Sequence, residues 1–356
     1  MKTRELKYMT VFTAPVVSLL AFYGHGWWTY SLIIYAFVMI PLGDALSKQS
    51  AANMSEAEEE MAAKDPYYDW LLYALVPLQF IFLFIFLYQV NEPGLTAFEI
   101  TGRVLTMGIG CATTGINLAH ELGHRAAKHE RFMSKLLLLS TMYMHFFIEH
   151  NRGHHKNVST EKDPASADRG EVVYFFWFKS VIFSYISAWK LEAEKLKKNG
   201  QRFFSLHNEM IRFQMIQLAF VAGIYFVFGF MSVVYFLVAS LIGILLLETI
   251  NYVEHYGLRR KKTGKDSYEK VLPVHSWNSN HALGRIMLFE LTRHSDHHYK
   301  ASRKYQVLRH FEQAPQMPLG YPAMILMSFF PPLWFYVMHK QIDRYRQQLP
   351  EGAALA

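Results

Sequence analysis

The sequence predicts an all-α membrane protein in which six transmembrane helices support a helical cytoplasmic cap, and the cap holds a histidine-rich dinuclear metal site. Of the 356 residues, 52% are hydrophobic and 16% aromatic, which is typical of a membrane-embedded chain. The mean hydropathy is nevertheless only +0.07. Apolar residues must therefore be concentrated in long runs between polar segments. The 17 histidines are the observation that predicts the metal site.

Six apolar runs are long enough to cross a hydrocarbon core, which needs about 20 helical residues. Two shorter runs, 132–148 and 172–188, are expected to lie in the membrane interface. The prolines of 318–338 would break a spanning helix, so this stretch is expected at the membrane surface. We treat residues 1–356 as one integral-membrane domain with six spans, at residues 9–26, 28–46, 68–90, 98–119, 211–230 and 232–252.

The distribution of lysine and arginine predicts the orientation of these spans. The connections between spans one and two and between spans three and four carry neither residue, whereas the N-terminus and the segments 120–210 and 253–356 are rich in both. The positive-inside rule then places both termini and the segments 120–210 and 253–356 in the cytoplasm. Arg103, near the outer end of span four, is expected to snorkel or to pair with Glu99.

Charge and cysteine content exclude two classes of partner and cofactor. The net charge of +7 is scattered over the membrane flanks, so we expect attraction to anionic membrane lipid and no nucleic-acid partner. The single cysteine, Cys111, lies inside an apolar run, which rules out a disulfide framework and a cysteine-ligated iron–sulfur centre. Any electrons must therefore come from elsewhere.

Nine histidines fall into four short motifs that this topology places on one side of the membrane. HELGH and LTRHSDHH carry pairs at i, i+4 spacing, which puts both rings on one helix face. EHNRGHH adds three histidines, and NYVEHYG adds one just beyond span six. Clustering on this scale predicts metal ligation. The nine are His120, His124, His150, His154, His155, His255, His294, His297 and His298.

The number of histidines favours two metals over one. HELGH alone matches the HExxH motif, in which two histidines bind zinc and the glutamate acts as a base, so an intramembrane zinc protease is an alternative. That site needs only one further ligand and leaves most of the other histidines unused. A metal transporter is a third class, but spans one, two, five and six contain almost no mid-membrane polar residues. Nine neutral imidazoles leave two divalent ions almost uncompensated, which suits a redox metal.

Six neighbouring polar residues are predicted to support the ligands. A ligating histidine normally donates its second ring N–H to a carboxylate or another acceptor, and charged groups this close to a span are costly without partners. The predicted supporting residues are Glu121, Glu149, Glu254, Asp296, His281 and Asn117.

The four histidine motifs closely resemble the signatures of bacterial integral-membrane alkane 1-monooxygenases, which use rubredoxin and belong to the wider superfamily of membrane fatty-acid desaturases and hydroxylases. DPAS at 163–166, HSWNSNH at 275–281 and RxYQxLR at 303–309 resemble the same family. The match covers the chain from span two to about residue 325, with Arg125 where the family usually has lysine. Fatty-acyl desaturation or hydroxylation is the nearest alternative activity.

The resemblance implies two iron ions (Fe²⁺/Fe³⁺) held by all nine histidines. It implies that the enzyme inserts one oxygen atom from O2 into the terminal C–H bond of an alkane, giving a primary alcohol. It also implies location in the bacterial inner membrane and electrons from rubredoxin, with rubredoxin reductase upstream. The chain ends in EGAALA, which is compatible with a tail or with a linker to a fused donor. The basic stretches 259–265 and 300–309 are predicted to attract an acidic donor.

Alkanes partition into lipid, so a substrate channel is expected to run between the spans toward the metals. Small residues on span four, which leads directly to His120, are predicted to leave room for it. The alternative is that they permit close helix packing. The candidates are Gly108, Ala112 and Gly115.

Overall fold

The computed structural model describes residues 6–348, and the regular structure of this part of the chain is helical. Within it there is no β-strand, only the isolated bridges of Lys262 with Tyr268 and of Asn278 with Gln316. The all-α prediction is therefore confirmed for the described residues. Four helical segments are long and apolar enough to cross a membrane: Gly26–Leu46, Pro66–Gln89, Glu209–Phe228 and Phe230–His255. They agree with four of the six predicted spans, and the chain is a membrane protein.

The other two predicted spans are helical but do not reach the same length and apolarity. Run 9–26 forms a 3-10 turn, Lys7–Phe12, followed by the helix Thr13–Tyr23. Run 98–119 begins in the helix Ala97–Gly110 and continues through a π-helical turn, Cys111–Asn117, into the helix Leu118–Gly123. Whether these two segments also cross the membrane stays a prediction.

Arg103 on helix Ala97–Gly110 is fully buried and paired, so it does not snorkel. Its guanidinium donates to Glu92 at 2.8 Å and to the carbonyl oxygens of Gln89 and Gly24. The expected partner, Glu99, instead caps the start of its own helix with Thr96. Because a buried cation without a partner costs several kcal/mol, roughly 3–5, this pair fixes the loop at residues 89–92 against the helix.

The chain divides into two compact units, each assembled from three separated stretches. Unit one comprises Met1–Ala36, Tyr67–Gly153 and Ser184–Leu247, and unit two comprises Phe37–Pro66, His154–Phe183 and Glu248–Ala356. Neither unit is a contiguous sequence domain, because the chain passes from one to the other five times. The chain crosses the boundary inside the EHNRGHH motif, between Gly153 and His154.

Unit one has an apolar core built by its long helices. Phe86 and Met107 are almost completely buried at its centre, together with Phe236. Two glycines allow close helix approach: a Cβ on Gly108 would lie 2.5 Å from Cγ2 of Ile242, and one on Gly115 would lie 2.4 Å from Cγ2 of Thr141. The small residues of span four are therefore in tight packing contacts.

Unit two is organised by polar contacts between the acidic 47–67 connection and the histidine-bearing segments. The guanidinium of Arg309 bonds both carboxylate oxygens of Glu59, and Arg293 donates to the carbonyl oxygen of Ala52 at 2.8 Å. Glu59 lies on the helix Glu56–Lys64, which begins with a capping box formed by Ser55 and Glu58. The connection between predicted spans two and three is therefore a structural part of unit two.

Candidate metal centre

Four histidines converge in the interior of unit two. Nε2 of His298 lies 3.2 Å from Nε2 of His154 and 2.9 Å from Nε2 of His294, and the latter lies 3.2 Å from Nε2 of His255. All four ligand atoms lie within 4.8 Å of one another, and all four residues are buried. Three of the four sequence motifs thus bring a ring nitrogen to one place.

Local structure explains how each motif presents its ring. His255 is the last residue of helix Phe230–His255, so its side chain projects from the helix end. His294 and His298 lie one turn apart on the helix His294–Tyr299. The start of that helix is fixed by Asn278, whose Oδ1 accepts the backbone N–H of Ser295 at 2.9 Å.

The chemistry of this quartet fits a bound metal cation. A neutral imidazole has one N–H donor and one lone pair, so a cluster of facing Nε2 atoms brings lone pairs together unless a cation lies among them. Burial lowers the pKa of His298 well below its ordinary value, and the neighbouring His294 and His155 rings lower it further. The ring is therefore neutral at pH 7, and the neutral ring is the form that binds metals. The residues present fit a metal cofactor.

Asp163 orients the ring of His154, one of the four rings of the quartet, through a contact with its Nδ1 atom. Its Oδ2 lies 3.0 Å from Nδ1 of His154 and accepts the hydroxyl of Ser166 at 2.5 Å. Burial raises the pKa of Asp163, but the interactions with His154 and Ser166 outweigh burial, so the pKa lies below its ordinary value. An ionised Asp163 holds the proton of His154 on Nδ1 and leaves the Nε2 lone pair for a metal. Asp163 opens the DPAS element, yet the prediction of supporting residues omitted it.

Asp163→Asn is expected to weaken metal binding without unfolding the protein. The amide keeps the size of the side chain but removes the charge that fixes the His154 tautomer. Loss of such a supporting contact typically costs about 10–100-fold in metal affinity. Metal affinity is measured by competition with a chelator. Asp168→Asn, at an exposed carboxylate that pairs with Arg259, is the control and should leave affinity unchanged. Equal affinity of Asp163→Asn and the parent would contradict the role given to Asp163.

Glu254 lies on the metal-facing side of the quartet. Its Oε2 lies 3.1 Å from Nε2 of His294, the same nitrogen that faces His255 and His298. Its Oε1 accepts the hydroxyl of Tyr321 at 2.9 Å. Glu254 was predicted to accept the second N–H of a ligating ring, which would be on Nδ1. The observed contact is to Nε2, the atom that faces the other rings of the quartet, and the supporting role stays a prediction.

Two other predicted supporting residues brace the protein instead of a metal-binding ring. The carboxylate of Asp296 accepts two bonds from Arg303 and one from the backbone N–H of Arg309. His281 contacts the hydroxyl of Ser279 and the amide of Gln49. The sequence signal was adjacency to a histidine motif. In a helix, adjacent residues point in different directions, so adjacency does not bring a side chain to the ligand.

Unit one brings together the remaining histidines of the first two motifs. Nε2 of His150 lies 3.1 Å from Nε2 of His124, and the ring of His120 lies 5.0 Å from that of His124 and 4.5 Å from that of His150. His120 follows the π-helical turn Cys111–Asn117, and such turns often occur at functional sites. Asn117, predicted as a supporting residue, is buried at the end of the same turn.

The carboxylates beside these histidines have partners within unit one. Glu121 accepts two hydrogen bonds from Arg125, and Arg125 also donates to Asp69 at 3.1 Å. The planar guanidinium bonds two carboxylates at once, which a lysine at this position does not reproduce. Glu149 accepts the hydroxyl of Ser187 at 3.4 Å. These contacts explain why arginine is favoured at position 125, where the family that the sequence resembles usually has lysine.

The last two histidines form a pair in unit two. Nε2 of His297 lies 3.1 Å from Nε2 of His155, and their ring centroids are 4.8 Å apart. His155 follows His154 in the chain, and His297 precedes His298. Both members of the pair are therefore sequence neighbours of quartet ligands. All nine predicted histidines thus have at least one other member of the set as a close neighbour.

The helical fold and the buried histidine clusters define a class of membrane-bound enzymes: residues 97–327 match the family described as fatty acid desaturase. The chain is 39% identical over 322 residues to the alkane 1-monooxygenase of Acinetobacter baylyi, an alignment that covers 90% of this chain and 78% of that protein. It is 39% identical over 327 residues to alkane 1-monooxygenase 2 of Pseudomonas aeruginosa, covering 89% and 85%. The chain belongs to the alkane 1-monooxygenase family and is a monooxygenase, which confirms the predicted resemblance.

A more distant relative extends the comparison. The xylene/toluene monooxygenase hydroxylase component XylM of Pseudomonas putida is 26% identical over 339 residues, covering 94% of this chain and 88% of that protein. Each of these alignments extends over the four histidine motifs, because each covers at least 89% of this chain.

Proposed function

We propose that this monooxygenase inserts one oxygen atom from O2 into the terminal C–H bond of an alkane and releases the primary alcohol. The observation that carries the proposal is the buried quartet of His154, His255, His294 and His298. It occurs in a chain that is 39% identical over 322 residues to an alkane 1-monooxygenase. An alkane C–H bond has no acidic proton and no leaving group, so side-chain acid–base or nucleophilic catalysis does not act on it.

The metals in this proposal are two irons. The quartet holds one ion, with Glu254 beside it. His120, His124 and His150 together with the pair His155 and His297 are assigned to the second, as the ligand count predicts. When bound, iron would supply the reduction of dioxygen that the hydroxylation requires. The protein's own residues do the rest: Asp163 keeps Nε2 of His154 unprotonated, and burial of the quartet keeps water from its four rings.

Electrons are proposed to come from rubredoxin at the cytoplasmic face of a bacterial inner membrane, with six helices crossing the bilayer. The chain contains one cysteine, which is buried, so it does not build an electron-carrying cluster of its own. Part of the basic charge predicted to attract the donor is already neutralised within unit two. Arg259 pairs with Asp168, Arg303 with Asp296 and Arg309 with Glu59. Steering therefore depends on the lysines of these stretches more than on the arginines.

The reaction is tested by supplying octane and ¹⁸O2 to the purified protein with reduced rubredoxin. The proposal predicts 1-octanol that carries one ¹⁸O atom. Label arriving from water, or an alkene as the product, would contradict it. Fatty acyl chains are tested in parallel because residues 97–327 match the fatty acid desaturase family, and toluene because of the likeness to XylM. Replacement of His294, His297 and His298 distinguishes a zinc protease, whose activity would survive the loss of all three.

The channel role of Gly108, Ala112 and Gly115 remains part of the proposal, and the packing contacts provide its test. Gly108→Ala places a methyl group against Ile242, and overpacking of this kind costs about 1–3 kcal/mol. We expect a lower thermal unfolding temperature in detergent. Gly223→Ala is the matched control, because nothing lies within 4 Å of its Cβ. If Gly108→Ala keeps its stability but no longer accepts long alkanes, the channel role replaces the packing role.

A further inference from the structure

A continuous row of aromatic rings crosses unit one from a metal-site histidine to an exposed loop. Each ring contacts the next, with centroid separations between 4.6 and 6.3 Å. At its outer end, Phe204 is 86% exposed. We call these rings the aromatic row. In spatial order they are His150, Phe146, Tyr143, His145, Tyr185, Trp189, Phe203 and Phe204.

The inner part of the aromatic row is closely stacked. The ring of Phe146 stacks on that of His150 at 4.6 Å with an interplanar angle of 21°, and on that of Tyr143 at 5.6 Å with an angle of 23°. His145 meets Tyr143 and Tyr185 edge-on at 4.6 and 5.1 Å. Electron transfer rates fall steeply with distance, so rings in contact exchange electrons far faster than rings separated by aliphatic side chains.

The composition of the row suits the transport of oxidising equivalents. Tyrosine and tryptophan are the aromatic residues that lose an electron most readily, and the row contains Tyr143, then Tyr185 beyond His145, then Trp189. The ring of Tyr143 is only 1% exposed, so it is enclosed by protein and shielded from solvent. A rubredoxin-type donor does not reduce a neutral aromatic ring, so these rings relay electrons toward the metal centre only after a strong oxidant there has removed one.

His145 adds a proton acceptor beside the innermost tyrosine. It is buried, and its Nε2 has no hydrogen-bond partner within residues 6–348. Burial lowers the pKa of His145 to about 3, so the ring is neutral at pH 7. A phenol that has lost an electron is a very strong acid, and even a weakly basic imidazole accepts its proton. A buried ring nitrogen without a hydrogen-bond partner, such as Nε2 of His145, is otherwise unfavourable in a protein core.

We propose that the aromatic row conducts oxidising equivalents away from the metal centre when O2 is activated and no substrate is bound, and so protects the ligands from oxidation; this inference rests on the proposed function. Tyr143 gives one electron to the centre and its phenolic proton to His145. Tyr185 then gives an electron to oxidised Tyr143, and His145 returns the proton to Tyr143. Trp189 in turn gives an electron to oxidised Tyr185. The oxidised indole of Trp189 takes one electron from a cellular thiol, whose proton passes to water.

The conducting property is tested without iron. A photo-oxidising ruthenium complex is attached at Phe204→Cys in a Cys111→Ala background of the full chain loaded with zinc, and transient absorption follows a flash. We expect an indole radical that decays into a tyrosyl radical. Trp189→Phe should abolish both signals, and Tyr185→Phe should leave the indole radical without the tyrosyl radical. Trp177→Phe, on the same helix Val173–Lys198 but outside the row, is the control and should keep both signals. Absence of radicals in the parent, or equal loss in Trp177→Phe, overturns the proposal.

The protective property is tested with the iron-loaded enzyme, reductant and O2 in the absence of alkane. The proposal predicts a tyrosyl electron paramagnetic resonance signal that Tyr143→Phe removes. It also predicts more oxidised histidine in peptides around His150 by mass spectrometry for Trp189→Phe than for Trp177→Phe. Equal oxidation in the two variants refutes protection. Failure of alkane hydroxylation would refute the proposed function instead, and the zinc-loaded experiment does not depend on that activity.

Discussion

His298→Ala is expected to abolish alkane oxidation and to remove about one metal ion per chain. Nε2 of His298 lies close to two other ring nitrogens of the quartet, at 3.2 Å from Nε2 of His154 and 2.9 Å from Nε2 of His294. Alanine leaves three ring nitrogens and a cavity that water fills. Because hydroxylation has no side-chain route without the metal, the residual rate should be the uncatalysed one. Metal content by mass spectrometry and 1-octanol formation provide the two measurements.

A control histidine separates ligand loss from a general effect of losing an imidazole. His207 is exposed and lies in none of the four motifs, so His207→Ala should keep metal content and activity. His298→Ala should also remain folded, as judged by helical circular dichroism. His298 is not part of the apolar core of unit one, so the substitution leaves that core unchanged. Full metal content in His298→Ala would show that the quartet is not a metal site.

Glu254→Gln is expected to produce the second-largest loss, about 10–100-fold in metal affinity and activity. Oε2 of Glu254 lies 3.1 Å from Nε2 of His294, so the side chain places a carboxyl oxygen where the quartet otherwise offers only neutral rings. Glutamine keeps the size of the side chain but replaces one of the two carboxyl oxygens with an amide nitrogen, which does not bind a metal. Chelator competition and initial rates with octane measure the effect.

Two further variants test the assignment of Glu254. Tyr321→Phe deletes the hydroxyl that Oε1 of Glu254 accepts at 2.9 Å but keeps the carboxylate, so its effect should be smaller than that of Glu254→Gln. Glu248→Gln changes another buried carboxylate of the same helix, one that bonds the hydroxyl of Ser180, and should retain the metal. If Glu248→Gln and Glu254→Gln lower metal affinity equally, the carboxylates act through the fold and not at the metal.

The parts of the structure that follow local sequence rules could be predicted. Hydropathy alone located Pro66–Gln89 and Phe230–His255, because a long apolar run has few alternatives to a buried or membrane helix. The i, i+4 spacing of His294 and His298 placed both rings on one face of a helix, as observed. Histidine is costly to cluster without a ligand, so the motifs also identified nine rings that each have another member of the set as a close neighbour.

The contacts that were missed join segments far apart in sequence. Asp163 reaches His154 across a turn that hydropathy does not predict, and Asn278 fixes the start of a helix seventeen residues later. Asp44, at the end of a predicted span, accepts the backbone N–H groups of Leu283 and Gly284. Such pairings depend on tertiary structure, and a single sequence carries no signal for them. The DPAS and HSWNSNH elements marked two of these positions without assigning their roles.

The direction of side chains near the ligands was the other limit. Glu254 and Asp296 both adjoin a ligand in sequence, yet Glu254 reaches the quartet and Asp296 bonds Arg303. The difference arises because Glu254 lies at the end of a long helix whose terminal side chains surround the site, whereas Asp296 points away from the face that carries His294 and His298. A residue's position in its own helix, relative to the ligands, decides which role it takes.

We propose that histidines from all four motifs hold two irons. This proposal is tested most directly by metal analysis and Mössbauer spectroscopy of protein that is produced in medium enriched in ⁵⁷Fe and purified in detergent without chelator. The account predicts two iron ions per chain, both in nitrogen-rich coordination, and the loss of part of the spectrum in His298→Ala. A single zinc ion per chain, or a spectrum that His298→Ala leaves unchanged, would contradict it.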